Sequence, residues 1–449
     1  MPGKEPPVPS ITALAALLGS VLVPGALAVS SLLIAPRVGF RNVFSPKIVW
    51  KRLCEGSGQG GTHPLSALCV ALAGTLGVGN ITGVASALMS GGPGALFWMW
   101  IGALIVLPVK YLEVRLAVFC RRRDKSGYYG GAMYVLRDGL TGLLSPKTAA
   151  AAGGIFAVLC CLNSLLTGNI VQANAAASVI APDRRLLCGC FLALLVLVSV
   201  ILGTRKIERI ASCVIPALTG FYILACGIVI FPNLRLIPWI LRTVVLSALC
   251  PRAALGAAMG FTARQAIRYG IMRGIFSNEA GCGTSPTAHA AADTRSPDHQ
   301  ASLGVAEVVF DTLILCTLTG LVLLVADLRW GVLPWQASAD AAAVTAEAFA
   351  KGAGAFIASL VRLSVPLFAY SSIVAQFYYG MTAIRYLTKK KTAAIFYGLA
   401  SSVCPVIGAV IPSGAMWLGA DLLLGSMTLL NCSALVFLSS RAKWAGTPR

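Results

Sequence analysis

"GTLGVGNITGVASALMSGGPGALFWMW", residues 74–100, decides how this chain must be read. The stretch is almost wholly apolar, yet it carries seven glycines, one proline and a lone amide, Asn80. An apolar run of this length is the kind that spans a bilayer, which needs about 20 residues. Glycine and proline are the residues that hold a helix worst. Inside lipid every backbone N–H and C=O must find a partner within the protein, so irregular backbone is tolerated only around a cavity or inside protein. Two readings follow. Either this helix is interrupted at a binding site, or its glycines let neighbouring helices approach closely.

The rest of the chain agrees with a membrane setting. Of 449 residues, 57% are hydrophobic and only 12% charged, with a mean hydropathy of +0.81. Soluble domains carry about 25% charged residues. Apolar runs predict an all-α polytopic protein of about eleven transmembrane helices, at 11–34, 62–90, 94–118, 150–180, 186–203, 210–232, 239–270, 301–327, 353–386, 392–412 and 417–440. The first lacks a basic leader and a small-residue cleavage site, so it is expected to be retained. The net charge of +20 is topological. With the N-terminus outside, 25 of the 36 Lys and Arg residues collect on one side, among them Arg37, Arg121, Arg205, Arg264, Arg385, Lys389 and Arg441. That is the positive-inside bias; it predicts a cytoplasmic C-terminus and makes a nucleic-acid partner unnecessary. The 14 cysteines are scattered and read as buried thiols. No phosphate-binding loop, nucleophile elbow or H-E-x-x-H site is present, so no enzyme and no organic cofactor is expected.

One helix with its loop (1–61), two sets of five helices (62–232 and 239–440) and a short tail (441–449) account for the chain. Because five is odd, the second set starts from the opposite face, which is the inverted-repeat plan of secondary transporters. In that plan the first helix of each set is broken near the midplane. Gly74, Gly77 and Gly79 interrupt the first; Gly256 and Gly260, in "LGAAMGF" (255–261), stand at the matching place in the second. Free amides at a half-helix start attract a carboxylate, and free carbonyls can coordinate a cation.

At this point the residues resemble a known family. "GVGNITGVASALMSGGPGALFWMW" (77–100) is similar to the GTGNIAGVA…GGPGAxFWMW signature of the alanine/glycine:cation symporter family, which includes the sodium:alanine symporters. "GGAMYVL" (130–136), "GNIVQANAAA" (168–177), "GTRKIERIASCVIP" (203–216), "YGIMRGIFSNEAGCGTSPTAHAAA" (269–292), "DTLILCTLTGLVLL" (311–324) and "SSIVAQFYYG" (371–380) resemble its other blocks, in order. The resemblance implies the fold of the amino acid–polyamine–organocation superfamily: one helix, then a five-plus-five inverted repeat. It also implies a cation-coupled, usually sodium-coupled, carrier of alanine or glycine, some members accepting the D-isomer, in a prokaryotic cell membrane.

Site residues follow from the residue chemistry and the resemblance together. Amides around Gly77, Val78, Gly79 and Asn80, with the Thr75 hydroxyl, are expected to take the substrate carboxylate. Gln172 and Asn174, amides in an otherwise apolar helix, either contact substrate or join helices. Gly256, Ala257 and Ala258 are expected on the other wall. The resemblance implies a sodium site from the carbonyls of Ala73, Leu76 and Phe368 and the hydroxyls of Ser371 and Ser372, unless those hydroxyls merely bond back to the preceding turn. The chain departs from the family at Val78 (usually Thr), at Ala258 (an aromatic) and at Met381 (a Glu), which leaves the substrate open. Among intramembrane carboxylates, Asp311 is a proton or cation group or pairs with Arg362; Glu113 pairs locally with Lys110 and Arg115; Glu279 lies at the cytoplasmic side and braces Arg273. The expected function is sodium-coupled import of a small neutral amino acid (D- or L-alanine, or glycine). The alternatives are proton coupling through Asp311, another small substrate such as serine, or a channel-like protein.

Overall fold

The computed structural model describes residues 9–54, 62–125, 127–180, 183–249, 262–294, 296–335 and 340–441. Nearly all of them are helical. The single sheet among the described residues is a short antiparallel hairpin, Arg122–Asp124 against Gly127–Tyr129. Nine helices there are long and apolar enough to cross a bilayer, and a bent pair makes a tenth span. Their outer surface carries side chains such as Leu32, Ile201, Phe231 and Phe396, each about three-quarters exposed, which lipid would cover.

The first helix, α1 (Ile11–Val38), is followed by two short turns of helix. Next comes the glycine-rich segment. α2 (Pro64–Thr75) and α3 (Thr82–Gly91) are bent by 58° around a single 3-10 turn, Val78–Asn80. α4 (Gly94–Phe119) leads through the hairpin to the short, mostly buried helix α5 (Ala132–Leu140). α6 (Pro146–Ile180) crosses next, with a wide turn at Leu166–Ile170. α7 (Arg185–Leu202) and α8 (Thr204–Ile230) complete the first set, and a 3-10 turn at Phe231–Leu236 joins α8 to α9 (Ile237–Leu249).

The second set departs from the expected pattern. The predicted span 239–270 is not one visible helix: α9 and α10 (Ala263–Asn278) flank residues 250–261, which lie outside the described residues. The predicted interruption at Gly256 to Gly260, with Ala257 and Ala258, falls on those residues. A buried, non-helical stretch that was not expected appears at 279–285, between α10 and the short helix α11 (Pro286–Ala290). Glu279 opens it in the left-handed region (φ 51), and Gly281 and Gly283 adopt φ 82. Arg273 on α10 is buried, pairing with Asp421 at 2.8 Å and stacking over Trp417 at 4.1 Å.

α12 (Pro297–Trp330) and α13 (Ala341–Leu387) follow. The expected loop at 328–352 is therefore partly helical. The Asp340 side chain caps α13 by accepting from the amides of Ala342 and Ala343, and the helix kinks at Gly354 (φ 84). α14 (Lys391–Val410) and α15 (Ser413–Ser439) close the bundle.

Candidate functional site

The bend after α2 is built by close approach. A methyl group on Gly77 would collide with Ser372 Oγ and sit 2.7 Å from Gln172 Oε1. One on Gly79 would sit 3.1 Å from the Phe276 ring and 3.3 Å from the Ser277 backbone. Only glycine lets α6, α10 and α13 converge on this turn. The bend and the 279–285 segment thus face each other, and a small cavity lies between them. Gly74, Thr75 and Gly79 line it from the bend, Thr167 and Gln172 from α6, Phe276 and Glu279 from α10 and its end, Gln376 from α13, and Leu424 from α15.

The predicted residues distribute as follows. The Val78 amide donates to Gln172 Oε1 at 3.0 Å, which joins Gln172 to the bend. The Thr75 hydroxyl donates back to the Ala71 carbonyl at 3.2 Å. Ser372 Oγ donates to the Ala73 carbonyl at 2.9 Å, so those two predicted cation ligands meet across α2 and α13. Ser371 Oγ bonds instead to the Phe368 carbonyl in its own helix, at 2.8 Å. Leu76 and Phe368 are buried nearby in the same core. Asn174 points elsewhere: its amide donates to the carbonyls of Gly408 (2.8 Å) and Ile411 (2.9 Å), tying α6 to α14.

Three carboxylate readings are corrected. Asp311 does not pair with Arg362, which is exposed on α13. It is fully buried and accepts from Asn80 Nδ2 (2.7 Å), Ser277 Oγ (2.8 Å) and Thr312 Oγ1 (2.8 Å), linking both interruptions to α12. Glu113 does not hold Lys110 or Arg115. It accepts from Asn431 Nδ2 (2.9 Å) and the Gly281 amide (3.3 Å), while Lys110 pairs with Glu307 (3.0 Å) and Arg115 with Asp298 (2.9 Å). Spacing along a helix gave neighbours on one face, but tertiary partners took their place. Glu279 does not brace Arg273, which pairs with Asp421; it is 5% exposed and faces the cavity. His289 is buried between Glu307 and Gln300, at 2.8 Å from each.

Sequence reasoning missed Phe276, Thr167 and Gln376 as cavity walls. Gln376 carried a signal, since it follows Ser372 by four residues and so shares its helix face.

A helical membrane protein whose two facing breaks enclose a small polar cavity has the construction of a secondary transporter. Known proteins agree. The sequence matches the sodium:alanine symporter family over residues 10–445. It is 34% identical over 413 residues to the sodium/alanine symporter AgcS of Methanococcus maripaludis, covering 90% of this chain and 88% of that one. It is 31% identical over 409 residues to the probable sodium/glutamine symporter GlnT of Bacillus subtilis, covering 90% and 82%. Among solved structures, MhsT in complex with L-phenylalanine superposes with a TM-score of 0.56 at 15% identity, covering 83% of this chain and 87% of that one, a likeness of fold alone. The chain belongs to the sodium:alanine symporter family. It is an integral membrane transporter of the amino acid symport class, not an enzyme.

Proposed function

We propose that this protein imports a small neutral amino acid, alanine (D or L) or glycine, together with sodium. The observation that carries this reading is the meeting of Ser372 Oγ with the Ala73 carbonyl beside the bend that lines the cavity. In this reading sodium replaces the Ser372 proton as partner of Ala73, with Leu76, Phe368 and Ser371 completing an oxygen shell. The turn at Gly77, Val78, Gly79 and Asn80, with Thr75 and Gln172, receives the substrate. Asn174 serves helix packing. The glycine contacts leave little room, which favours a small side chain. The N-terminus lies outside, the C-terminus in the cytoplasm of a prokaryotic cell, and the two five-helix sets (62–232 and 239–440) are inverted repeats.

A second reading, proton coupling through Asp311, is favoured by one observation: that carboxylate is held by three neutral donors and bridges both interruptions. Uptake of labelled D-alanine, L-alanine, glycine and serine into proteoliposomes separates the two. Uptake that needs an inward sodium gradient, and persists with pH equal on both sides, supports the first. Uptake that survives replacement of sodium by choline and follows a pH gradient replaces it with the second.

A further inference from the structure

We propose that the Glu279 carboxylate is the anionic wall that receives the protonated amino group of the transported amino acid. This rests on the amino-acid carrier reading above and names the substrate feature the site selects. Among the described residues lining the cavity, Glu279 is the only one with a charged side chain. Its position is built rather than incidental: it ends α10 in the left-handed conformation, and its two oxygens are held by different elements, one by the non-helical stretch that it opens and one by α13. Thr284 Oγ1 donates to Oε2 at 2.7 Å, and Gln376 Nε2 donates to Oε1.

Both donors are neutral. Among the described residues no basic side chain pairs with Glu279, because Lys110 is committed to Glu307 and Ser285, and Arg273 to Asp421. Lys110 acts on Glu279 only at a distance, and a carboxylate taken out of water without a directly bonded counter-charge is costly. An ammonium group brings that charge and three donors, and charge-assisted bonds of this kind are the strong ones. An acceptor for a second of those donors is at hand. Gln376, 2% exposed and already touching Glu279, has its Oε1 buried without a partner. The substrate carboxylate would then lie toward the opposite wall, where the Val78 amide and the Gln172 carboxamide meet. The cavity so built takes an α-amino acid and rejects the hydroxy acid of the same shape.

The test compares L-alanine with L-lactate as competitors of labelled alanine uptake by the full chain in proteoliposomes. Sodium alone is also titrated against thermal unfolding. In the parent protein alanine should compete at least 100-fold better than lactate. Glu279→Gln should weaken alanine at least tenfold and leave lactate within about threefold, so the ratio collapses, while the sodium-induced thermal shift stays. Unchanged alanine competition overturns the proposal. So does loss of the sodium shift, which would make Glu279 a ligand of the inorganic cation. If Glu279→Gln does not fold, Gln376→Ala is read the same way: alanine should weaken three- to tenfold and lactate should not, and equal effects on both overturn the assignment. A parent protein that prefers another amino acid corrects the function above but not this role; the pair tested is then that amino acid and its hydroxy acid.

Discussion

Ser371 and Ser372 are adjacent and chemically identical, yet they face different partners. Ser372 reaches across to Ala73, whereas Ser371 bonds to Phe368 within its own helix. Replacing Ser372 with Ala should raise the sodium concentration for half-maximal uptake about tenfold, equivalent to about 1.4 kcal/mol. Ser371→Ala should change it less than threefold. Equal effects in a sodium titration would place the cation elsewhere. Asn174 calls for a different measurement. Its loss leaves two carbonyls, Gly408 and Ile411, without their donor. Asn174→Ala should lower stability by about 1–3 kcal/mol in thermal unfolding and leave the apparent substrate affinity unchanged. A shift in affinity with unchanged stability would return Asn174 to the ligand. The sequence separated Gln172 from Asn174 poorly, because both are amides in one apolar helix and differ only in which face they present.

Helices here are locked together by buried charge. Lys110 on α4 pairs with Glu307 on α12 and reaches Ser285, just before α11, while His289 on α11 holds the same carboxylate. All three side chains are fully buried. Lys110→Met should therefore cost about 3–5 kcal/mol by stranding Glu307. The double variant with Glu307→Gln should recover part of that loss, since the two sites share one interaction. Additive losses in thermal unfolding would deny the coupling. This network shows where sequence reading stopped. The membrane-helical class and the broken α2–α3 pair were legible, because apolar length and glycine spacing are local properties. The Ala73–Ser372 meeting followed only from the family resemblance. Nine helices and one bent pair stand among the described residues where eleven spans were expected. The partners of Lys110, Glu113, Asp311 and Glu279 were not, because each lies on an element distant in sequence. At α10 the expected span ends at residue 270, although the helix runs to Asn278 and Arg273 is buried against Asp421 and Trp417. The interruption in "NEAGCG" was missed, because its glycines follow a helix that the sequence reading ends at residue 270.

For the molecule as a whole, the bend between α2 and α3 touches both proposed ligands, through Ala73 on one side and through Thr75 and Gly79 on the other. Sodium and amino acid then order the same few residues, and their affinities must be linked reciprocally. Saturating alanine should tighten sodium binding by the same factor, five- to 100-fold, by which saturating sodium tightens alanine. Independent affinities in equilibrium titrations would show that the bend transmits nothing. Transport itself would follow from one bundle rocking on the other about this turn.

The groups proposed to recognise cargo are already partnered with one another: the Val78 amide with Gln172, and Ser372 with the Ala73 carbonyl. Loading is therefore an exchange of bonds rather than a net gain of them. A water molecule or a potassium ion that displaces one partner without replacing the other leaves a buried polar group stranded. Such an intruder is disfavoured even though it fits, so the same pairing that limits affinity for the cargo guards the bilayer against leak.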